Sequence, residues 1–289
     1  MKYFYKPIYI FLISLAFCSN FTQRNSVSLA GQNFDINLDK EIKEGNFLIG
    51  LKQYLGKNKI NEDSFNLQTN DKFLRVESGN GLKHQSKKVK IVFKKVPLDK
   101  PYFVEKLVSK PLASFESAKK QSEILVKQGL RPIITMPSHW EIWLPLENKD
   151  KVNKNFRIRR KTINNKIIPF LVNQYTIQKL EGPISVSSDE VIKIDNINYG
   201  KIFYLIKDSY GTWTLVQKLS FAEYLKGVLP HEIGANSPLE ALKAQAVIAR
   251  TWAIYNSNRF EADKFHLCVT TQCQVYKPHI ANKNIEKAI

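Results

Sequence analysis

The sequence predicts an α+β protein with three folded parts behind an N-terminal leader: a small β-rich region, a βαββ unit and a mixed α/β C-terminal domain. Three observations carry this. Short apolar runs separated by Gly, Asn and Ser turns fill the chain from residue 25 to 98; a strand, a helix and two more strands follow in 99–146; and two helix-start signals come only after the Ile-, Val- and Tyr-rich strands of 147–289. With 289 residues, 43% of them hydrophobic, the chain has enough apolar matter for such cores, which excludes disorder over most of its length.

Residues 1–24 read as a leader. Lys2 and Lys6 precede an apolar run at 8–17, too short to span a bilayer but suited to a signal-peptide core. Export to the periplasm or cell envelope is expected, with retention as an uncleaved N-terminal anchor as the alternative. Cys18 stands where a lipidated cysteine would lie, but bulky Phe17 occupies the place of the small residue that lipidation favours.

The net charge of +18, from 44 Lys and Arg against 26 Asp and Glu, predicts attraction to a polyanion. Helix-turn-helix, zinc-finger and RNP-like patterns are absent from the sequence, so nucleic acid is not the expected partner. The charge is densest at Lys149, Lys151, Lys154, Arg157, Arg159, Arg160, Lys161 and Lys166, read as a solvated linker or an exposed strand face.

Along the β-rich region, 46–51 and 89–93 are strand-like, with a turn at Ser78-Gly79-Asn80-Gly81. In the βαββ unit, 102–107 reads as a strand, Ser114 caps a helix over 115–128 that Gly129 stops, and 132–135 and 140–144 are strands. The stretch "ASFESAKKQSEILVKQGLRP" resembles the septal glycan-binding repeat domain of cell-wall proteins, which implies a contact with glycan strands. Short strands follow at 184–186, 191–194, 202–206 and 213–216.

Next comes the segment with chemistry. Ser220-Phe221-Ala222-Glu223 is a capping box, starting a helix that carries Tyr224, Leu225 and Val228 and is expected to stop at Pro230, leaving His231 and Glu232 just past its end. A second capping box, Ser237-Pro238-Leu239-Glu240, starts a helix expected over 238–256. Its apolar stripe of Leu239, Leu242, Ala246, Ala249 and Ala253 is mostly small, which admits close approach of another element, and Arg250 sits beside it. Cys268 and Cys273 read as a local disulfide or as two ligands of a metal site, with free buried thiols as a third reading.

The stretch "LSFAEYLKGVLPHEIGANSPLEALKAQAVIARTWAIYN", followed by "FHLCVTTQCQVY", resembles the sporulation stage II protein D family and its amidase-enhancer relatives, which act on bacterial peptidoglycan. The resemblance implies a lytic transglycosylase acting on peptide-free glycan strands, with Glu232 of "LPHEI" as catalytic acid and base. It also implies an association with a cell-wall amidase, or a non-catalytic role that stimulates one. Pro230 and Ile233 beside Glu232 favour desolvation of its carboxyl, the condition for holding a proton to give to a leaving oxygen. Arg250 is assigned to the site, pairing with Glu232 or binding sugar hydroxyls of the substrate, against snorkelling to solvent; Gln274 and Tyr276 in "QVY" are assigned to glycan contacts, against strand packing. The family also implies a structural zinc, for which Cys268, Cys273 and His266 supply three ligands and His279 or His231 the fourth; Gln272 stands where a His is found in relatives. The family domain continues beyond the start of a helix at 284–289, so the expectation is a C-terminally incomplete domain whose remainder is lost or supplied by another chain.

Overall fold

The computed structural model describes residues 36–57, 63–278 and 282–289, all within one compact unit. The leader, Cys18 and His279 lie outside the described residues. Among those described, no helix is long and apolar enough to cross a membrane.

The fold mixes helices with a large sheet. In chain order its elements are α1 (Leu38–Lys43), β1 (Asn46–Leu55), β2 (Ser64–Gln68), β3 (Leu74–Ser78), β4 (Lys83–Ser86), β5 (Lys88–Ser109), α2 (Phe115–Lys127), β6 (Ile133–Thr135) and β7 (Glu141–Leu144). They continue as β8 (Phe156–Val172), β9 (Ile177–Lys179), β10 (Ile184–Ile194), β11 (Ile197–Lys207), β12 (Trp213–Ser220), α3 (Phe221–Leu229), α4 (Leu239–Tyr255), β13 (Leu267–Cys268) and α5 (Lys283–Ala288). The strands join in the order β13-β1-β12-β11-β10-β2-β5-β7-β6, with the β3–β4 hairpin on β10 and the β8–β9 hairpin on β5.

The strand–helix–strand–strand order expected over 99–146 is present, with α2 capped as predicted by the Ser114 hydroxyl, which accepts from the Ser117 N–H. Its first strand, however, is not a separate element. Expected strands at 89–93 and 102–107 are one strand, β5, that runs through the boundary placed at residue 98, pairs with β2 at one end and with β7 at the other. Pro97 does not break it, because the irregular stretch between Pro97 and Tyr102 takes up the missing donor in a bulge. Likewise the basic stretch is mostly a strand, β8, paired antiparallel along β5, with Arg157, Arg160, Lys161 and Lys166 exposed and Arg159 half-buried.

Two strands tie the molecule together. β12 is buried on both faces: Trp213 and Leu215 enter the core inside the curled sheet, Val216 the core beneath α2, and Leu219 the core under α3 and α4. β1 lies between β12, its antiparallel neighbour, and β13, which it pairs in parallel. It contributes Leu55, Leu48 and the pair Phe47 and Ile49 to the same three cores. Each such fully buried side chain stabilises the fold by about 1.5–3 kcal/mol.

Candidate functional site

The site is an elbow between two helices. The capping box at its start is formed: the Ser220 hydroxyl accepts from the Glu223 N–H at 3.2 Å, and the Glu223 carboxylate accepts from the Ser220 N–H at 2.7 Å. α3 does not stop at Pro230. Leu229 keeps helical angles, and the chain continues through a π-helical turn, Pro230–Gly234. The wider turn accommodates a proline that has no N–H for the α-helical ladder, so His231 and Glu232 lie on a continued helical turn. Gly234, at φ +88, then reverses the chain.

At the start of α4 the predicted capping box is absent. Ser237 donates its hydroxyl to the Ile233 carbonyl at 2.6 Å, closing the elbow, and Pro238 stands as the cap with extended ψ, so Glu240 turns outward to Lys243. The buried stripe of α4 is Leu242, Ala246, Ala249 and Ala253; Leu239 is only half-buried.

Glu232 is exposed, and Ile233 beside it is 37% exposed, so the desolvation expected from its neighbours is not found. Within electrostatic reach of Glu232 lies an aromatic and polar layer. Tyr224 on α3 donates its hydroxyl to Gln274 Oε1 at 2.9 Å and stacks on Tyr276, with ring centres 5.9 Å apart and planes inclined by 9°. Burial pushes the Tyr224 hydroxyl well above the usual tyrosine range, and the negative charge of Glu232 pushes it further. Tyr276 in turn donates to Gln217 Oε1 on β12 at 3.3 Å, and burial raises its hydroxyl as well. His231 is held below the usual histidine range by burial and by Lys277, with Glu232 opposing.

Gln274 and Tyr276 are therefore buried supports of Tyr224 in this structure, not exposed surface. Their approach depends on Gly227. A Cβ there would overlap the Tyr276 ring and lie 2.5 Å from the Lys277 carbonyl oxygen, and the Lys277 N–H donates to the Gly227 carbonyl at 3.2 Å. Gly227 is the residue that reading the sequence overlooked, and Tyr224 enters that reading only as one of the apolar residues of the helix. A glycine inside an otherwise well-formed helix was the available signal.

Arg250 is half-buried beside the small-residue stripe, and among the described residues its guanidinium makes no hydrogen bond or ion pair. Arg259, four residues past α4, is the reverse: it is buried and donates to the Gln272 carbonyl at 2.8 Å, to Asn256 Oδ1 at 3.1 Å and to Glu116.

The three residues expected to bind zinc do not converge as ligands. Cys268 and Cys273 are joined in a disulfide with Cα atoms 5.7 Å apart. Both ring nitrogens of buried His266 are occupied: Nδ1 accepts from the Leu48 N–H at 2.8 Å, and Nε2 donates to the Leu38 carbonyl at 3.0 Å. His266 thus ties β1 and the start of α1 to β13, and burial lowers its pKa, keeping it neutral. His231, the described candidate for fourth ligand, lies exposed on the π turn. Among the described residues no group of three or more His, Cys, Asp or Glu side chains is placed to hold a metal ion.

The family comparison falls on this same region. Residues 209–289 match the model of the family described as SpoIID, stage II sporulation protein. An uncharacterized protein of Brachyspira hyodysenteriae (strain ATCC 49526 / WA1) is 40% identical over 123 residues, 41% of this chain and 32% of that protein. The amidase enhancer of Bacillus subtilis (strain 168) is 45% identical over 65 residues, 22% of this chain and 8% of that protein. The chain therefore spans about a third of the first relative's length and under a tenth of the second's. No solved structure matches. The stretch that matches the stage II sporulation protein family, residues 209–289, includes both the π turn that bears Glu232 and the disulfide loop that leads to Gln274 and Tyr276.

Proposed function

We propose that this protein remodels bacterial cell wall at the envelope, cleaving peptidoglycan glycan strands as a lytic transglycosylase with Glu232 as acid and base. The observation that supports it best is the exposed position of Glu232 on the π turn, where a glycan strand can reach its carboxyl, within electrostatic reach of the buried Tyr224–Gln274–Tyr276 layer that steadies α3. In this reading protonated Glu232 gives its proton to the glycosidic oxygen as the anomeric carbon–oxygen bond breaks. The C6 hydroxyl of the same sugar then attacks the anomeric carbon and returns a proton to the ionised carboxylate, leaving a 1,6-anhydro end. Water takes no part and no second carboxylate is required, unlike ordinary glycosidases. A bound strand would cover the exposed carboxyl and supply the dry surroundings that the free protein lacks. Arg250, which makes no hydrogen bond or ion pair among the described residues, binds substrate, and Gln274 and Tyr276 hold Tyr224 in place.

One observation favours a second reading. The exposure of Glu232 suits a module that binds glycan or stimulates an amidase without catalysis, and one similar protein is named amidase enhancer. Digestion of peptide-free glycan by the wild type and by Glu232→Gln, with mass analysis of the ends, separates the two. Anhydro ends produced by the wild type alone support cleavage; strand binding without such ends supports the second reading.

A further inference from the structure

The sheet formed by β8, β5 and β7 packs one face on α2, through Leu107, Ile142 and Leu144. Its opposite face is crowded with cations. Directly opposed residues of an antiparallel pair share a face, and so do alternate residues of one strand. The pairs Val104↔Lys161, Lys106↔Arg159 and Val108↔Arg157 therefore put Arg157, Arg159 and Lys161 in one row, with Lys106 abreast of Arg159 and Trp143 on the next strand. Successive cations of the row are about 6.6 Å apart along β8.

A single carboxylate offsets them. Glu141 accepts two hydrogen bonds from the Arg159 guanidinium, each 2.8 Å, and one from Trp143 Nε1 at 3.0 Å. Lys106 lies with its ammonium 3.2 Å from the centre of the Trp143 ring. Burial, then Lys161 and Arg159, lower its pKa to about 8, with Glu141 opposing. Four cations are thus held together against their repulsion, and among the described residues Arg157 and Lys161 make no hydrogen bond or ion pair.

We propose that this row is a docking surface for a linear, base-free phosphodiester polymer running along β8. Guanidinium forks suit phosphate oxygens, and Arg157 and Lys161 are uncommitted. The arrangement is a line and not a plane. Strand alternation sends Arg160 and Phe103 to the opposite face, where Arg160 pairs with Glu105 at 2.6 Å, so a lipid surface would meet one row only. The face is also poor for nucleic-acid bases: Lys106 covers Trp143, which leaves no broad aromatic platform for stacking.

The test is fluorescence anisotropy of end-labelled poly(glycerol phosphate) with the full chain, over a range of salt. Single-stranded DNA, polyglutamate and phosphatidylglycerol vesicles serve as alternative probes. The double variant Arg157→Gln, Lys161→Gln is expected to bind the polymer at least tenfold more weakly, with the slope of log affinity on log salt reduced by about 1.4. Arg160→Gln, on the opposite face, is expected to bind as the wild type does. Both residues of the double variant are exposed, so its melting temperature is expected to be unchanged. Equal affinity in the double variant, or tighter wild-type binding to DNA, polyglutamate or vesicles than to the polymer, overturns the proposal.

Discussion

The two ends of α4 are built on opposite terms. Beyond its C-terminal end, Arg259 is enclosed by the rings of Phe115, Trp140 and Trp252 and hydrogen-bonded to three separate segments, locking α2 to the loop at Gln272. Nearby Asp263 is buried and accepts from the Ser209 N–H and the Tyr210 hydroxyl. At the other end, Glu232 is exposed; Arg250, in the C-terminal half of α4 itself, makes no hydrogen bond or ion pair among the described residues. The difference teaches where each function of a charged side chain is placed: paired and dry where the fold is fastened, open where a ligand is to be met.

That contrast can be broken or sharpened by substitution. Arg259→Ala is expected to destabilise by about 3 kcal/mol, read as a lowered urea midpoint, because several hydrogen bonds to a buried charge are lost together. Arg259→Lys should recover less than half, since an ammonium cannot reach three acceptors in the guanidinium geometry.

Asp263 comes next. Burial, assisted by Asp208, raises its carboxyl from 3.8 to about 6, so the native state holds a proton that the unfolded chain has released. Its contribution is therefore complete below pH 4 and is lost as pH rises through 6. Asp263→Asn should gain stability relative to the wild type by ~2–3 kcal/mol between pH 4 and pH 7, in urea titrations across that range.

Gly227→Ala is smaller, about 1–3 kcal/mol, from overpacking against Tyr276 and Lys277. Thermal unfolding measures that cost. The same variant should weaken glycan binding, since it displaces the segment that steadies Tyr224. Glu232→Gln and Arg250→Lys should shift stability least, within about 0.5 kcal/mol. Their cleavage of peptide-free glycan should nevertheless fall at least ~100-fold for Glu232→Gln. A large stability loss in Glu232→Gln would erase the contrast between the two ends.

Signals confined to a few neighbouring residues were legible in the sequence. The caps at Ser114 and Ser220, the extent of α4 and its small-residue stripe all follow from short-range patterns, and all are present. Pairings across long separations were not. Nothing local in Asn46–Leu55 says that it will lie between β12 and β13, nor that β5 will continue through Pro97. The elbow was misread for a related reason: Ser237 had two acceptable roles, and the Ile233 carbonyl, freed by the π turn, took its hydroxyl. Arg259 passed unnoticed because its partners come from α2 and from the loop after β13, and only the fold brings them together.

The position of β1 has a consequence for biosynthesis. Leu48 and the His266 that accepts its N–H are 218 positions apart. At ordinary rates of translation this strand leaves the ribosome roughly 10–40 s before that partner exists. Until β12 emerges both of its edges are open to other chains, and until β13 follows one still is, an aggregation hazard that a holding chaperone would relieve. By the same logic, a recombinant piece beginning at residue 209 would lack its inner strand, and adding a peptide of residues 36–57 in trans should restore its solubility.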